Sequence, residues 1–405
     1  MRRQETVLAN NRGENMKIIG IEIFPLSISF KTVIEESFGT VGKREDDVVI
    51  RIHTDDRICG LGEGSTLGPF YSGESQETVM GIIAHHLFPK VLEGKDPFNI
   101  DLIHQQMNRV VYGNTVAKSA IDIALYDIMG KALNTPVYKL LGGHFTEEIP
   151  IRFSVGIDSP EKMAKFSKEA IDAGFKGIKM KVGLSPYEDI ERVEAIREVI
   201  GPDPIIDVDV NGAYSTKEAI HVINSMSKFA PILVEQPVAR EDLEGMALVR
   251  KSVGVPIGAC ESALTLSQIL HVIKMEAADF FNYKISRSGG FFRGKQAVYM
   301  IEAAGLFAVG SEQLGFGIEL AAQAHFAVST CILKLPGGYG AGILKIAGGF
   351  DTINFTGDIV DQTPVIKNGR LHLPQRPGLG VELIEDRLKR YLTPGKEIIT
   401  IGERS

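Results

Sequence analysis

Three short runs decide the fold: "PIIDVDVN" (204–211), "PILVEQP" (231–237) and "VPIGACES" (255–262). Each is a short apolar segment, opened at or near a proline and closed by a carboxylate with a small polar neighbour. Both faces of these segments are apolar, as in parallel strands covered on two sides. Runs of the same kind are "IPIRFSVG" (149–156), "GIKMKVG" (177–183), "DFFNYKIS" (279–286) and "LFAVGSEQ" (306–313). Helical stretches such as "PEKMAKFSKEAIDAG" (160–174) and "SPYEDIERVEAIREVI" (185–200) lie between them. Seven such strands alternating with helices, with an eighth expected in "AVSTCILKL" (327–335), favour a closed (β/α)8 barrel over an open doubly wound sheet.

Upstream, "MKIIGIEIFPL" (16–26) and "DDVVIRIHT" (46–54) read as strands, while "ETVMGIIAHHLFPKVL" (77–92) and "TVAKSAIDIALYDIMGKAL" (115–133) carry helical spacing. The expected organisation is therefore an α/β chain in four parts. Residues 1–15 form a disordered tail without the apolar core of a secretory signal. Residues 16–143 form an α+β capping domain and 144–370 the catalytic (β/α)8 barrel. Residues 371–405 leave the barrel and pack back on the cap.

Composition narrows the partners. The 405 residues carry 44 basic and 51 acidic side chains, a net charge of −7, with no basic arm for nucleic acid or anionic membrane. No run reaches the roughly 18 to 20 apolar residues of a membrane span. Three widely spaced cysteines, Cys59, Cys260 and Cys331, suit a reducing cytoplasm better than a disulfide framework.

A barrel presents its chemistry at the C-terminal ends of its strands. The residues there are Lys179, Lys181, Asp209, Asn211, Glu235, Glu261, Lys284 and Glu312. Asp209 to Glu235 and Glu235 to Glu261 are both intervals of 26 residues, the repeat of one βα unit. Adjacent strands would thus aim three carboxylates into one mouth, where they repel unless a cation lies between them. Oxygen ligands without a His or Cys cluster call for a hard ion, Mg²⁺ first and Mn²⁺ also admissible. Lys179 and Lys181, two apart on a strand, face the same way. Two close ammonium groups would lower one another's pKa, making one a base near neutral pH. Lys284 would face them across the mouth.

In order and spacing, "GIKMKVG", "VDVNGAY", "VEQPV", "ACES" and "NYKISRSGG" resemble the mandelate racemase/muconate lactonizing group of the enolase superfamily, as do "GLGEG", the 117–143 helix and turn, and "RPGLGVEL". The resemblance runs over nearly the whole chain from Met16. It implies a Mg²⁺-dependent isomerase or lyase that moves a proton at the α-carbon of a small carboxylate through a metal-stabilised enolate. It implies Asp209, Glu235 and an acid after the fifth strand as metal ligands, and Lys181 and Lys284 as acid/base catalysts on opposite faces. Lys179 would tune Lys181 and hold the substrate carboxylate, with Asn211 beside the metal. A lysine at 284 puts the chain nearer the muconate lactonizing branch, so a muconate-cycloisomerase-like activity is expected first. An N-acylamino-acid or amino-acid racemase or epimerase, an acid dehydratase, and a non-catalytic carboxylate-binding barrel are the alternatives. Members of this group commonly form homo-oligomers.

Two departures stand out. The lactonizing branch writes the fifth-strand acid as Asp-Glu-Ser, whereas this chain has Cys260 at the Asp position. The racemase branch's Gly-Glu-Asn count falls on Glu261, which is therefore the expected third ligand. After strand seven, Glu312 and Glu319 both miss the position of the cycloisomerase glutamate. Two cap loops, 37–43 and 67–74, are expected to close on the mouth, with Phe38, Phe70 and Tyr71 as pocket walls. No Asp-x-Asp of the dipeptide-epimerase kind follows strand eight; "LPGGYGAG" (335–342) stands there.

Overall fold

The computed structural model describes residues 16–31, 34–37, 39–143, 146, 148–231, 233–333, 335–339, 344–346, 349–351 and 355–405. Phe38 lies outside the described residues. Strands β1 (Ile18–Ser29), β2 (Arg44–Thr54) and β3 (Cys59–Gly64) pair antiparallel in the N-terminal part. Alternation puts Ile21, Ile23, Val48, Ile50 and Ile52 into one buried cluster with the helices that follow. The glycines of "CGLGEG" have a packing reason. A Cβ on Gly60 would stand 2.1 Å from the Ala124 carbonyl oxygen, and one on Gly62 1.9 Å from that of Ala120. Helix α1 (Thr115–Ala132) therefore rests its small residues directly on β3.

The second part holds seven parallel strands: β4 (Arg152–Val155), β5 (Gly177–Lys181), β6 (Ile205–Asp209), β7 (Leu233–Glu235), β8 (Ile257–Ala259), β9 (Phe280–Tyr283) and β10 (Phe307–Gly310). They form one sheet in strict sequence order. Helices connect them, several with capping boxes or side-chain N-caps at Ser159, Ser215, Asp242 and Thr265. Both sheet edges meet one segment: Leu333 and Gly338 bridge to Ala308 and Ser311, and Gly337 bridges to Ile151. The expected eighth strand needs a correction at its start. Residues 327–328 end helix α2 (Gly317–Val328), which is buried on every side, and only Leu333 onward approaches the sheet.

Strand β11 (Ile399–Gly402) pairs with β1, giving the order β11–β1–β2–β3. Asp127 on α1 accepts from the backbone N–H of Leu61 at 2.9 Å and of Leu379 at 2.8 Å, tying β3 and the C-terminal segment to one helix. Glu63 of β3 accepts from the N–H groups of Phe316 and Glu319, so a carboxylate of the first part closes the N-terminus of α2 in the second. Among the described residues no helix is long and apolar enough to cross a membrane.

Candidate active site

Strand register builds the site. Lys181 pairs with Asp209, and Asp209 with Glu235, so three charged residues stand in one row across β5, β6 and β7. Beneath them, inside the sheet, Arg152 is paired with Asp207, and Leu233, Phe280 and Val309 form an apolar floor. The Lys179 ammonium donates to Glu235 Oε2 at 2.7 Å and pairs with Asp209 Oδ2 at 2.9 Å. Lys181 Nζ donates to the same Asp209 oxygen at 2.9 Å and to Asn211 Oδ1 at 3.0 Å. Asn211 Nδ2 in turn donates to Glu261 Oε1 at 2.9 Å. Thus Lys179, Lys181, Asp209, Asn211, Glu235 and Glu261 form one connected network, with Lys284 at the end of β9, four strands on from Lys181.

Mutual repulsion does not govern Lys179. Burial pushes its pKa down, but Asp209 and Glu235 outweigh burial and hold it well above the ordinary lysine value. Asp209 is held well below the usual carboxylate range: burial raises it, and Lys179 and Lys181 more than reverse that. Lys284 is the lysine whose pKa is lowered, chiefly by burial, with Arg287, Lys179 and Lys181 adding to it and Cys260 opposing.

Whether a hard cation fits can be read from the oxygens. Among the described residues no three His, Cys, Asp or Glu side chains are gathered as a metal cluster; Lys179 lies between Asp209 and Glu235 instead. Yet Glu235 Oε1 and Glu261 Oε2 are buried and have no hydrogen-bond partner. Two orphaned carboxylate oxygens beside an ionised Asp209 are a donor set that a divalent oxygen-loving ion satisfies.

The turn that carries Glu261 is built by Gln236, which sequence reading passed over inside "EQP". Gln236 sits at φ 42°, and its Oε1 accepts from the N–H groups of Cys260 at 3.0 Å and Ser262 at 3.1 Å. Its Nε2 donates to Ser262 Oγ at 2.8 Å. Asn211 is likewise left-handed, at φ 49°, so two strand ends of the mouth hold strained backbone.

The opposite wall comes from the cap. The helical turn Pro69–Ser72 presents Tyr71, 3% exposed, whose hydroxyl accepts from Lys284 Nζ at 3.1 Å and from Arg287 Nη1 at 2.6 Å. Arg287 also donates to the Cys260 carbonyl at 2.9 Å and lies 3.2 Å from its sulfur. Cys260 is thus a buried neighbour of Tyr71 and Arg287, and burial pushes its thiol pKa far up. Arg240 reaches the Phe70 and Tyr71 carbonyls at 3.2 and 3.3 Å, and its guanidinium lies over the Phe70 ring. A cavity of about 370 Å³ opens here, lined by Phe70, Tyr71, Asn211, Gln236, Arg240 and Glu261 among others. Phe70 is 64% exposed at its rim. Glu312 is buried on the far side, next to Tyr339. Arg287 and Arg240 were missed because a lone arginine in a loop carries no local signal; Arg287 lies three residues past Lys284 within "SRSGG".

Comparison with known proteins agrees with this architecture. Residues 19–142 match the model of the mandelate racemase/muconate lactonizing enzyme N-terminal domain, and residues 162–387 that of the enolase C-terminal domain-like family. N-succinyl-L-Arg/Lys racemase of Bacillus cereus is 32% identical over 95% of this chain and 100% of its own. Its crystal structure superposes with a TM-score of 0.87. A dipeptide epimerase of Enterococcus faecalis, solved with Mg and the dipeptide L-Leu-L-Tyr, gives a TM-score of 0.83 at 31% identity, covering 90% of this chain and 99% of that one. Chloromuconate cycloisomerase of Pseudomonas putida is 30% identical over 94% of this chain and 100% of its own. With both domain models matched and these relatives spanning nearly its full length, the chain is an enzyme of the enolase superfamily and belongs to the mandelate racemase/muconate lactonizing enzyme family.

Proposed function

We propose that this enzyme moves a proton at the α-carbon of a small carboxylate, using Lys181 and Lys284 on opposite faces of the substrate in a Mg²⁺-dependent racemisation or epimerisation. The observation that carries the reading is the separation of the two lysines. Lys181 stands in the Asp209–Glu235 row, and Lys284 follows β9, with β6, β7 and β8 between their strands. A lysine on each face is what a 1,1-proton transfer requires, because the proton leaves on one side and returns on the other.

Asp209, Glu235 and Glu261 would hold the ion. When bound, Mg²⁺ supplies Lewis-acid stabilisation of the charge that develops on the substrate carboxylate. Lys179 would bind a substrate carboxylate oxygen, exchanging one of its present carboxylate partners for it. Lys284, its pKa lowered chiefly by burial, would take the α-proton on one face, and Lys181, which donates to Asp209, would deliver a proton on the other. Asn211 orients Lys181 and Glu261 together. Phe70, Tyr71 and Arg240 would close the mouth against water, and Glu312 would contact substrate from the far side.

The whole is a (β/α)8 barrel, closed by the segment at Leu333–Gly338 and covered by a cap of residues 16–143 completed by 371–405. The same reading includes a cytoplasmic location and a homo-oligomeric assembly, the latter open to size-exclusion measurement.

Cycloisomerisation is the second reading, favoured by the 30% identity to a chloromuconate cycloisomerase. The discriminating experiment is a screen of N-acylamino acids, dipeptides and muconates with Mg²⁺ in D₂O. Inversion with α-deuterium uptake in an amino-acid derivative supports the proposal. Lactone formation from a muconate with no α-exchange in any amino-acid derivative contradicts it.

A further inference from the structure

Away from the barrel mouth, the cap sheet carries a second group of reactive side chains. His53 and Cys59 are opposed residues on β2 and β3. Cys59 Sγ lies 3.3 Å from His53 Nδ1, and His53 Nε2 lies 3.0 Å from Glu22 Oε2 on β1. Arg51 holds that same Glu22 oxygen at 3.0 Å, and Arg404 holds the other at 3.0 Å. His53 and Glu22 are buried, whereas Cys59 is half-buried. With Glu22 accepting from Nε2–H, the lone pair of His53 is on Nδ1, which faces the thiol and also accepts from the Ser405 N–H at 3.2 Å. This is the order of an activated nucleophile: thiol, base, and a carboxylate that fixes the base's tautomer.

We propose that Cys59 is a nucleophilic modification site, activated by His53 and oriented by Glu22, that takes up low-molecular-weight disulfides as a mixed disulfide. The Cys59 proton passes to His53 Nδ1 and the thiolate attacks one sulfur of the disulfide. The S–S bond of the reagent breaks, a new S–S bond to Cys59 forms, and the departing thiolate takes the proton from His53.

The surroundings favour the thiolate. Burial raises the Cys59 pKa, but the hydrogen bonds of His53 and Ser405 and the charges of His53 and Arg51 outweigh it and bring it below the ordinary thiol value. The other charged groups facing the cluster are Arg404, Glu22, and Lys131 of α1, which donates to the Cys59 carbonyl at 3.1 Å and pairs with Asp127 and Glu382. Glu385 engages Arg51 from outside. Ser405 lies over the group, with its Oγ 3.1 Å from both Cys59 Sγ and His53 Nδ1 and its N–H 3.2 Å from Nδ1. Exposed Cys331, whose sulfur lies 3.6 Å from Glu302 Oε1, has no histidine hydrogen-bonded to it among the described residues and serves as an internal reference.

The test is the pH dependence of modification of the intact chain by iodoacetamide and, separately, by oxidised glutathione, with Cys59 and Cys331 quantified by peptide mass spectrometry. The half-maximum for Cys59 should lie at least about one pH unit below that of Cys331. His53→Gln should move it up to the Cys331 value and slow Cys59 about tenfold at pH 7, and Glu22→Gln should shift it the same way by less. Circular dichroism confirms that both variants fold. Superimposed profiles for the two cysteines, or an unchanged profile in both variants, would overturn the proposal. So would alkylation of Cys59 without formation of the glutathione mixed disulfide.

Discussion

The Tyr71 hydroxyl of the cap lies 3.1 Å from the Lys284 ammonium of the barrel, joining residues 213 positions apart in the chain. The same oxygen accepts from Arg287, so one phenol holds two buried basic side chains at a set distance. Tyr71→Phe removes that acceptor without emptying the space. The expected result is a fall in kcat of about tenfold with KM changed less than about threefold, since losing a buried hydrogen bond costs roughly 1–3 kcal/mol and this one acts on the lysine proposed as a catalyst. Steady-state kinetics with the carboxylate returned by the screen checks it.

Gln236 sets the direction of Glu261. Gln236→Leu keeps the volume but strips the acceptor from the Cys260 and Ser262 N–H groups. Two buried donors left unpaired should cost about 2–4 kcal/mol of stability. Mg²⁺ affinity, read by isothermal titration calorimetry, should drop about 10- to 100-fold as the ligand turn loosens. An unchanged affinity would detach Glu261 from the metal.

His325 on α2 reports on acid stability. Its Nε2 faces the Leu379 carbonyl at 3.1 Å and its Nδ1 accepts from the Tyr138 N–H at 3.3 Å, an arrangement that only the neutral ring satisfies. Burial lowers its pKa to about 4 from an unfolded value of 6.5. The unfolded state therefore binds the proton first. This contribution is complete above pH 6.5 and declines as the pH falls toward 4, by up to about 3 kcal/mol. Urea midpoints at pH 7, 5.5 and 4.5 should converge between wild type and His325→Gln as the pH drops; parallel curves would refute the assignment.

Close packing of α1 on β3 predicts a contrast between two glycines. Gly62→Ala drives a methyl into the Ala120 carbonyl and should destabilise by about 3 kcal/mol. Gly81→Ala, in a helix with nothing within 4 Å of the new atom, should stabilise by about 0.5–1 kcal/mol. Thermal unfolding of the two variants measures both signs.

What could be read in the sequence is what lies at strand ends. Lys179, Lys181, Asp209 and Glu235 follow short apolar runs, and pairing neighbouring runs in register brings them together without knowledge of distant contacts. The Tyr71–Lys284–Arg287 contact and the Arg240 hold on the cap turn were not legible, because they join segments brought together only when the cap docks. Gln236 was hidden for another reason: a buried amide that organises a turn looks like any polar residue after a strand. The run 327–335 was legible only in its second half, because α2, buried all round, ends inside it and periodicity cannot separate such a helix end from a buried strand. The tyrosine wall was expected from its loop; its hydrogen bonds to Lys284 and Arg287 were not.

The most direct test of the central claim is single-face proton exchange. Each enantiomer of the identified substrate is incubated in D₂O with Mg²⁺ and the Lys181→Ala or Lys284→Ala variant, and α-deuterium uptake is followed by NMR. Neither variant should invert its substrate, and each should retain exchange with one enantiomer only, the opposite one for each lysine. Wild-type exchange of both enantiomers by either variant would contradict a mechanism with one lysine on each face.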